Sequence, residues 1–270
     1  MEKRKAWGWR IVGGIVRVTA VCYAALLALV WGCANSMMYH PPHSYADGAQ
    51  VRKIATKSGR KISAVYLSNP EAEYTILFSH GNAEDLGTCV EYLQEVSKRG
   101  YNVLAYDYAG YGTSEGKPTE KDTYEDISAA YEYLTGEARV RAERVILLGR
   151  SIGSGPTVWL ATQRPVGGMI LEGAFTSIVR VGLGAKILPF DYYDNLARIG
   201  DVHCPVLMIH GRQDRVIPFT HGQTLFEKAN KPKMSLWVEG ADHNDLIETA
   251  GEAYWKAIGE FLEGIKGEGI

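Results

Sequence analysis

A chain of 270 residues, 46% hydrophobic and 22% charged, has the length and composition of a globular protein with a sizeable core, not of a disordered one. Its net charge of −2 argues against a nucleic-acid binder, which normally carries a basic excess. The four cysteines form no close pair and no metal-ligand spacing, and Cys89 and Cys204 read as isolated small hydrophobes.

The N-terminus reads as separate from the fold. Residues 1–10, "MEKRKAWGWR", carry Lys3, Arg4, Lys5 and Arg10 against a single Glu2. Residues 11–34 are apolar apart from Arg17 and a few small polar groups, and no Lys or Arg follows until Arg52. By the positive-inside rule the head is cytoplasmic and the remainder lies beyond the membrane. From Ile11 to Ala34 the segment has the roughly 20 residues that span a bilayer, with Arg17 able to snorkel to the headgroups. From Val18 to Gly32 it also suits a signal-peptide core. That shorter run leads into "VWGC", Val30 to Cys33, which resembles a bacterial lipoprotein cleavage site with Trp31 in place of the usual small residue. Both readings tether an extracytoplasmic domain, by an uncleaved anchor or by a lipidated Cys33. Residues 1–36 are thus an anchor or signal segment, 37–49 a linker in which Pro41–Pro42 blocks helix, and 50–270 the folded domain.

Within that domain strand and helix alternate. "AVYLS" and "YTILFSH" are β-type runs, followed by helical spacing over "EDLGTCVEYLQEVSKRG", which stops at Gly100. Next come the strand "NVLAYDY", the glycine-rich "AGYGTSEGKP", and a helix over 120–135. "RVILLG" is a strand and "SGPTVWLATQ" a helix; "GGMILEGA" and "PVLMIHG" are strands. "PFTHGQTLFEKAN" is a helix, "MSLWVEG" a strand and "EAYWKAIGEFLEGI" a terminal helix. Continuous apolar strands alternating with helices define an α/β protein with a mostly parallel sheet. Sites in such sheets lie beyond the carboxyl ends of strands, so the loops after Ser79, Tyr108, Gly149, Gly173, His210 and Gly240 should share one rim.

Gly149-Arg150-Ser151-Ile152-Gly153 fits G-x-S-x-G between a strand and a helix. A serine on so sharp a turn tolerates no bulky side chain two residues away, and glycine removes both. A phosphate loop would need a Gly-Lys-Ser/Thr ending, and a dinucleotide turn glycines spaced G-x-G-x-x-G; here they stand at 149, 153 and 155.

A serine hydroxyl needs a base. Of seven histidines, His243 in "VEGADHND" occupies the loop after the last strand and before the last helix, while His210 reads as a support for the loop after its strand. The acid that orients the imidazole is Asp214 in "HGRQDRVIP", with Glu172 in "LEGAF" as its rival. Asp242 and Asp245 read as loop and helix-cap residues. An oxyanion would be held by the backbone N–H of Ile152 and one from "SHGNAED", Asn82 ahead of Ala83.

Together "HGN", "YDYAGYGTSEG", "GRSIGSG", "PVLMIHGRQDRVIP" and "GADHND" resemble the α/β-hydrolase family, from about residue 50 to the C-terminus. Within it the chain is similar to small, N-terminally anchored serine hydrolases of bacteria and eukaryotes, whose eukaryotic members include palmitoyl-protein thioesterases. The resemblance implies the α/β-hydrolase fold with helices on both faces, Ser151 as nucleophile, Asp214 as acid and His243 as base, and an architectural role for "GYGTSEG". It implies no metal and no cofactor. The family's lid would fall at Phe175 to Cys204, about residues 175–204, as one or two short helices, where Ile187, Leu188, Pro189 and Phe190 either line an acyl pocket or simply pack. Arg150 would meet an acidic substrate group or form a surface salt bridge. The expected substrate is a small acyl ester, then a thioester, with peptide cleavage behind. The partners are that substrate and, through the N-terminus, a membrane. The rival of another class is a catalytically inactive binding module, since a fold does not guarantee activity. Oligomeric state is not encoded in any readable motif.

Overall fold

The structure, a computed structural model, describes residues 2–42, 50–184 and 188–267. The chain divides into two units, Met1–His40 and Pro41–Ile270. The first is a single helix, α1 (Glu2–Met38), so helix persists to within three residues of Pro41. Its apolar part, Val12–Met38, has 27 residues. At about 1.5 Å per residue that is roughly 40 Å, more than the roughly 30 Å of a bilayer's hydrocarbon. Large apolar side chains, among them Ile15, Val18, Val21 and Leu29, are exposed along it. The helix is therefore long and apolar enough to cross a membrane. The expected linker lies mostly at residues 43–49, outside the described residues.

The second unit is built on eight strands: β1 (Val51–Ala55), β2 (Lys61–Leu67), β3 (Thr75–Ser79), β4 (Asn102–Tyr106), β5 (Val145–Arg150), β6 (Gly168–Glu172), β7 (Val206–Gly211) and β8 (Lys233–Val238). They lie in the order β1-β2-β4-β3-β5-β6-β7-β8. β1 and β2 are antiparallel to their neighbours; from β4 to β8 every pairing is parallel. β3 and β6 are buried at every residue, as strands covered on both faces must be.

Side chains alternate across the sheet and so feed two layers. Ile76, Phe78, Ile146, Leu148, Ile170 and Ile209 share a core with Leu93 and Val96 of α2 (Val90–Lys98) and with Tyr254, Ile258 and Phe261 of α9 (Glu252–Gly267). The intervening Leu77, Leu104, Leu147 and Met208 are fully buried. α3 (Glu120–Glu132) and α4 (Ser154–Gln163) pack on each other, and α4 lies against β5 and β6. Burying each such Leu or Ile contributes about 1.5–3 kcal/mol.

Two local expectations are corrected. Helix does not run from residue 84 but starts at Val90. Before it, Asp85 and Thr88 bond each other's backbone, Asp85 N–H to Thr88 Oγ1 and Thr88 N–H to Asp85 Oδ1, both 2.8 Å. Such local side-chain bonds compete with the helical ladder and hold a turn instead. β1 is an additional edge strand whose only buried residue is Ile54, so it lacks the apolar signature of the others. The interval after β6 forms α5 (Ile178–Leu183) and α6 (Asn195–Arg198). α7 (Thr220–Lys228) and α8 (Leu246–Ala250) complete the fold.

Candidate active site

A cavity of about 350 Å³ opens at the carboxyl ends of the parallel strands, within the usual size range of ligand sites. It is lined after β3 by Gly81 to Glu84, at the end of β5 by Arg150 and Ser151, and after β6 by Glu172 and Gly173. Val216 follows β7, and His243, Asn244, Leu246 and Ile247 follow β8. The loop after β4 does not line it but braces it. Tyr108 donates to His80 O at 2.7 Å, and Tyr111 donates to Asn82 Oδ1 at 2.7 Å. His80, buried behind, packs on both tyrosine rings.

Ser151 has φ +52°, a left-handed conformation that costs a non-glycine residue about 1–3 kcal/mol. The turn survives because the residues two before and two after Ser151 are glycines. A Cβ on Gly149 would stand 2.7 Å from Gly153 O, and one on Gly153 would stand 2.1 Å from Ser79 O. The strain aims the Ser151 side chain into the cavity, and the chain passes through a single 3₁₀ turn into α4. The first N–H groups of a helix have no partner within it, and Ile152 is the second residue of that turn, which Ser151 opens.

Ser151, His243 and Asp214 come together from the ends of three strands. Ser151 Oγ lies 3.0 Å from His243 Nε2, and His243 Nδ1 donates to Asp214 Oδ2 at 2.7 Å. The other Asp214 oxygen, Oδ1, accepts the N–H groups of Val216 and Ile217 at 2.9 and 2.7 Å. His210 donates to Ile217 O at 2.9 Å, bracing the loop, and its Nε2 also lies 3.3 Å from Asp214 Oδ2. That second histidine on the carboxylate was not foreseen; the only signal in the sequence is the i, i+4 spacing from His210 to Asp214. Burial alone would raise the Asp214 carboxyl. The contacts from His210, His243 and the Ile217 amide outweigh it and hold the acid well below its ordinary range. The arrangement can draw the hydroxyl proton onto the imidazole while the carboxylate holds the ring and offsets the positive charge that forms.

The His243 loop is tied to the Asp214 loop by Asp242. Its Oδ1 accepts Arg215 N–H at 2.9 Å and His243 N–H at 2.8 Å. Asp245 stands at the N-cap position of α8 but does not cap it; its carboxylate accepts Asp242 N–H at 2.7 Å. Gly173 approaches the imidazole from β6, where a Cβ would stand 3.0 Å from His243 Cε1.

Glu172, the rival acid, is engaged elsewhere. Its Oε2 accepts Arg150 Nε at 2.8 Å and its Oε1 accepts the Tyr254 hydroxyl. Arg150 is not a surface salt bridge. It joins Glu172, which is 1% exposed, and Glu84 Oε1, 2.9 Å from its Nη1, with its guanidinium 4.5 Å from the Tyr92 ring centre and 5.2 Å from that of Phe78. Burial would lower the Arg150 pKa, but the two carboxylates reverse that and keep it charged. Burial would raise Glu84, and Arg150 and the Gly81 amide pull it below its ordinary value.

Asn82 lines the cavity, while Ile152 is buried and does not line it. The lid residues proposed for an acyl pocket fall elsewhere. Ile187 is outside the described residues, Leu188 is buried, and neither Leu188, Pro189 nor Phe190 lines the cavity. Its apolar wall comes instead from Val216, Leu246 and Ile247.

A mostly parallel sheet with a strained serine after β5, an acid after β7 and a histidine after β8 defines the class, and the chain belongs to the α/β-hydrolase family. A family model described as "Serine aminopeptidase, S33" matches residues 70–189. The chain is 43% identical over 224 residues to human alpha/beta hydrolase domain-containing protein 17B, covering 82% of this chain and 75% of that one. It is 44% identical over 204 residues to the mouse 17C protein, covering 74% and 64%. Among solved structures, the Pyrococcus furiosus esterase Pf2001 superposes with a TM-score of 0.70 at 21% identity, over 83% of this chain and 98% of that one. The esterase domain of a Rhodothermus marinus protein gives 0.60 at 19% identity, over 77% and 97%. At these identities the two esterases show the shared α/β-hydrolase fold.

Proposed function

We propose that this chain is a membrane-tethered serine hydrolase that cleaves acyl esters, with thioesters as the second substrate class. The supporting observation is the hydrogen-bonded relay from Ser151 through His243 to Asp214, 3.0 and 2.7 Å, at the floor of a cavity. Ser151 Oγ attacks the acyl carbonyl while His243 Nε2 takes its proton. Asp214 keeps the imidazole in the tautomer that can accept, and offsets the charge of the imidazolium. The amides of Asn82 and Ile152 receive the oxyanion, each such donor typically worth about 10²–10³ in rate. The imidazolium then protonates the departing alkoxide or thiolate, leaving an acyl-Ser151. Water, deprotonated by His243, attacks that ester, and the acid leaves as Ser151 recovers its proton.

The family model's description raises the alternative of peptide cleavage. An aminopeptidase has to hold its substrate's terminal ammonium on a carboxylate. Glu84 and Glu172, the carboxylates lining the cavity, are both paired with Arg150, so an ester ranks above a peptide. α1 supports the tether, and the basic residues before it favour a domain outside the cytoplasm.

A fluorophosphonate probe tests the reading. Wild type should label and Ser151→Ala should not; an unlabelled wild type, or a labelled Ser151→Ala, overturns it in favour of a binding module or another nucleophile. A chain-length series of p-nitrophenyl esters and acyl-CoAs then ranks ester against thioester.

A further inference from the structure

The mechanism above uses two amide-bearing segments that are far apart in sequence, the Asn82 turn after β3 and the Ser151–Ile152 turn after β5. Their relative placement decides whether two N–H groups converge on one oxygen. One side chain bridges them. Arg150, the residue before Ser151, holds Glu84 Oε1 at 2.9 Å, and Glu84 Oε2 accepts the Gly81 N–H at 2.5 Å. The Gly81 turn is closed as well by Glu84 N–H on Gly81 O at 3.3 Å. A Cβ on Gly81 would stand 2.9 Å from Glu84 Oε2, so the carboxylate lies directly against the turn.

The bridge is anchored at its other end. Arg150 Nε is bonded to Glu172, its register partner on the adjacent strand, and Glu172 is bonded in turn to Tyr254 of α9. Tyr92 of α2 joins Tyr254 at 2.9 Å between hydroxyls and stacks under the guanidinium. Arg150 Nη2 is buried without a hydrogen-bond partner, so the group is held by two carboxylates and by ring faces. Stability alone is a poor explanation for one cation and two carboxylates placed here, because an apolar cluster of similar volume would serve it as well or better.

We propose that Arg150 and Glu84 form a clamp that keeps the two halves of the oxyanion site in register. The proposal rests on the acyl-transfer reading and names both as positioning residues. Without the Glu84 carboxylate the Gly81 N–H loses its acceptor and the turn, though still held by Tyr108 and Tyr111, loses its tie to the residue beside Ser151 and can shift relative to it. Donors displaced in this way fail the oxyanion more than the planar ground-state carbonyl, so the loss falls on kcat and spares KM.

The test is steady-state kinetics of the full-length protein in detergent on a p-nitrophenyl ester, with inhibition by an aryl trifluoromethyl ketone that forms the oxyanion on Ser151. Glu84→Ala should lower kcat about 10²-fold, within the range for a lost oxyanion donor, with KM within about threefold. The ketone's Ki should rise in step with the loss in kcat/KM. Glu84→Gln can satisfy Gly81 or Arg150 but not both. It serves where the alanine variant does not fold, and should lose about tenfold. In an Arg150→Met background, Glu84→Gln should add little, because the two act as one unit. A merely structural role would lower the folded fraction, and with it kcat, while leaving Ki unchanged. That result overturns the clamp, as does a Glu84→Ala enzyme within threefold of wild type. A Ser151→Ala protein as active as wild type overturns the acyl-transfer reading and the clamp together, so the two failures are distinguishable.

Discussion

Asp214→Asn is the sharpest probe of the proposed relay. Asp214 divides its oxygens: Oδ1 accepts two backbone N–H groups at 2.9 and 2.7 Å, and Oδ2 accepts His243 Nδ1 at 2.7 Å. An asparagine here keeps its carbonyl on the two amides, since the reverse orientation would set an NH₂ against two N–H donors. Its NH₂ then faces His243 and obliges Nδ1 to accept. The ring proton moves to Nε2, which now donates to Ser151 Oγ across the 3.0 Å contact and can no longer take its proton. In a serine protease this loss of tautomer costs about 10⁴ in kcat, equivalent to about 5.5 kcal/mol at 1.36 kcal/mol per decade. The same is expected here, because Glu172 cannot substitute while both its oxygens are held by Arg150 and Tyr254. The assay is kcat on a p-nitrophenyl ester near pH 7.5, with a melting curve to show that the variant is folded. A folded Asp214→Asn enzyme retaining more than a tenth of wild-type kcat would refute the argument.

Gly153→Ala drives a methyl to 2.1 Å from the Ser79 carbonyl, a backbone atom in a central strand, and should destabilise by about 3 kcal/mol or more; a melting temperature within about 2 °C of wild type, the shift that about 1 kcal/mol or less produces in a domain of this size, would contradict the packing. Asp126 is pushed up to about 6 from its ordinary 3.8 by burial, which the Ala109 amide and Arg60 only partly offset. Its folded pKa lies above its unfolded one, so its favourable contribution is complete below about pH 4 and lost as pH rises through about 6. Relative to Asp126→Asn, wild type should therefore lose about 2–3 kcal/mol between pH 4 and pH 7, at 1.36 kcal/mol per unit; urea midpoints of the pair that stay parallel would exclude it. For the tether, protease added to intact cells should remove a C-terminal tag, and a tag cut only after lysis would reverse the proposed topology. Intact mass of the membrane form separates an uncleaved α1 from a mature N-terminus at acylated Cys33.

The parallel part of the sheet was legible because its strands are continuous apolar runs; α4 spans the residues its sequence suggests, Ser154 to Gln163. β1 was not, because VRKIA buries only Ile54 and depends on pairing with β2 for its structure. The start of α2 was not legible either, since nothing in "EDLGT" distinguishes an Asp85–Thr88 turn from a first helical turn until the bonds are seen. Ser151, Asp214 and His243 could be picked out because each follows a strand and chemistry limits the residue types. The apolar wall could not. Val216, Leu246 and Ile247 are ordinary residues on loops, and only the closing of those loops makes them neighbours.

Arg150 shows where a one-dimensional reading ends. Its partners lie 66 residues before it and 22 after it, spacings with no helical or strand period. What joins them is the strand order β3-β5-β6. β5 is flanked by β3, after which comes Glu84, and by β6, which ends in Glu172, and Arg150 is in register with Glu172. A cation at the end of the middle strand of three thus meets the carboxylates of both neighbours. The same strand order brings the Asn82 turn beside Ser151, so the topology that would bring the proposed oxyanion donors together also sets the charges proposed to hold them.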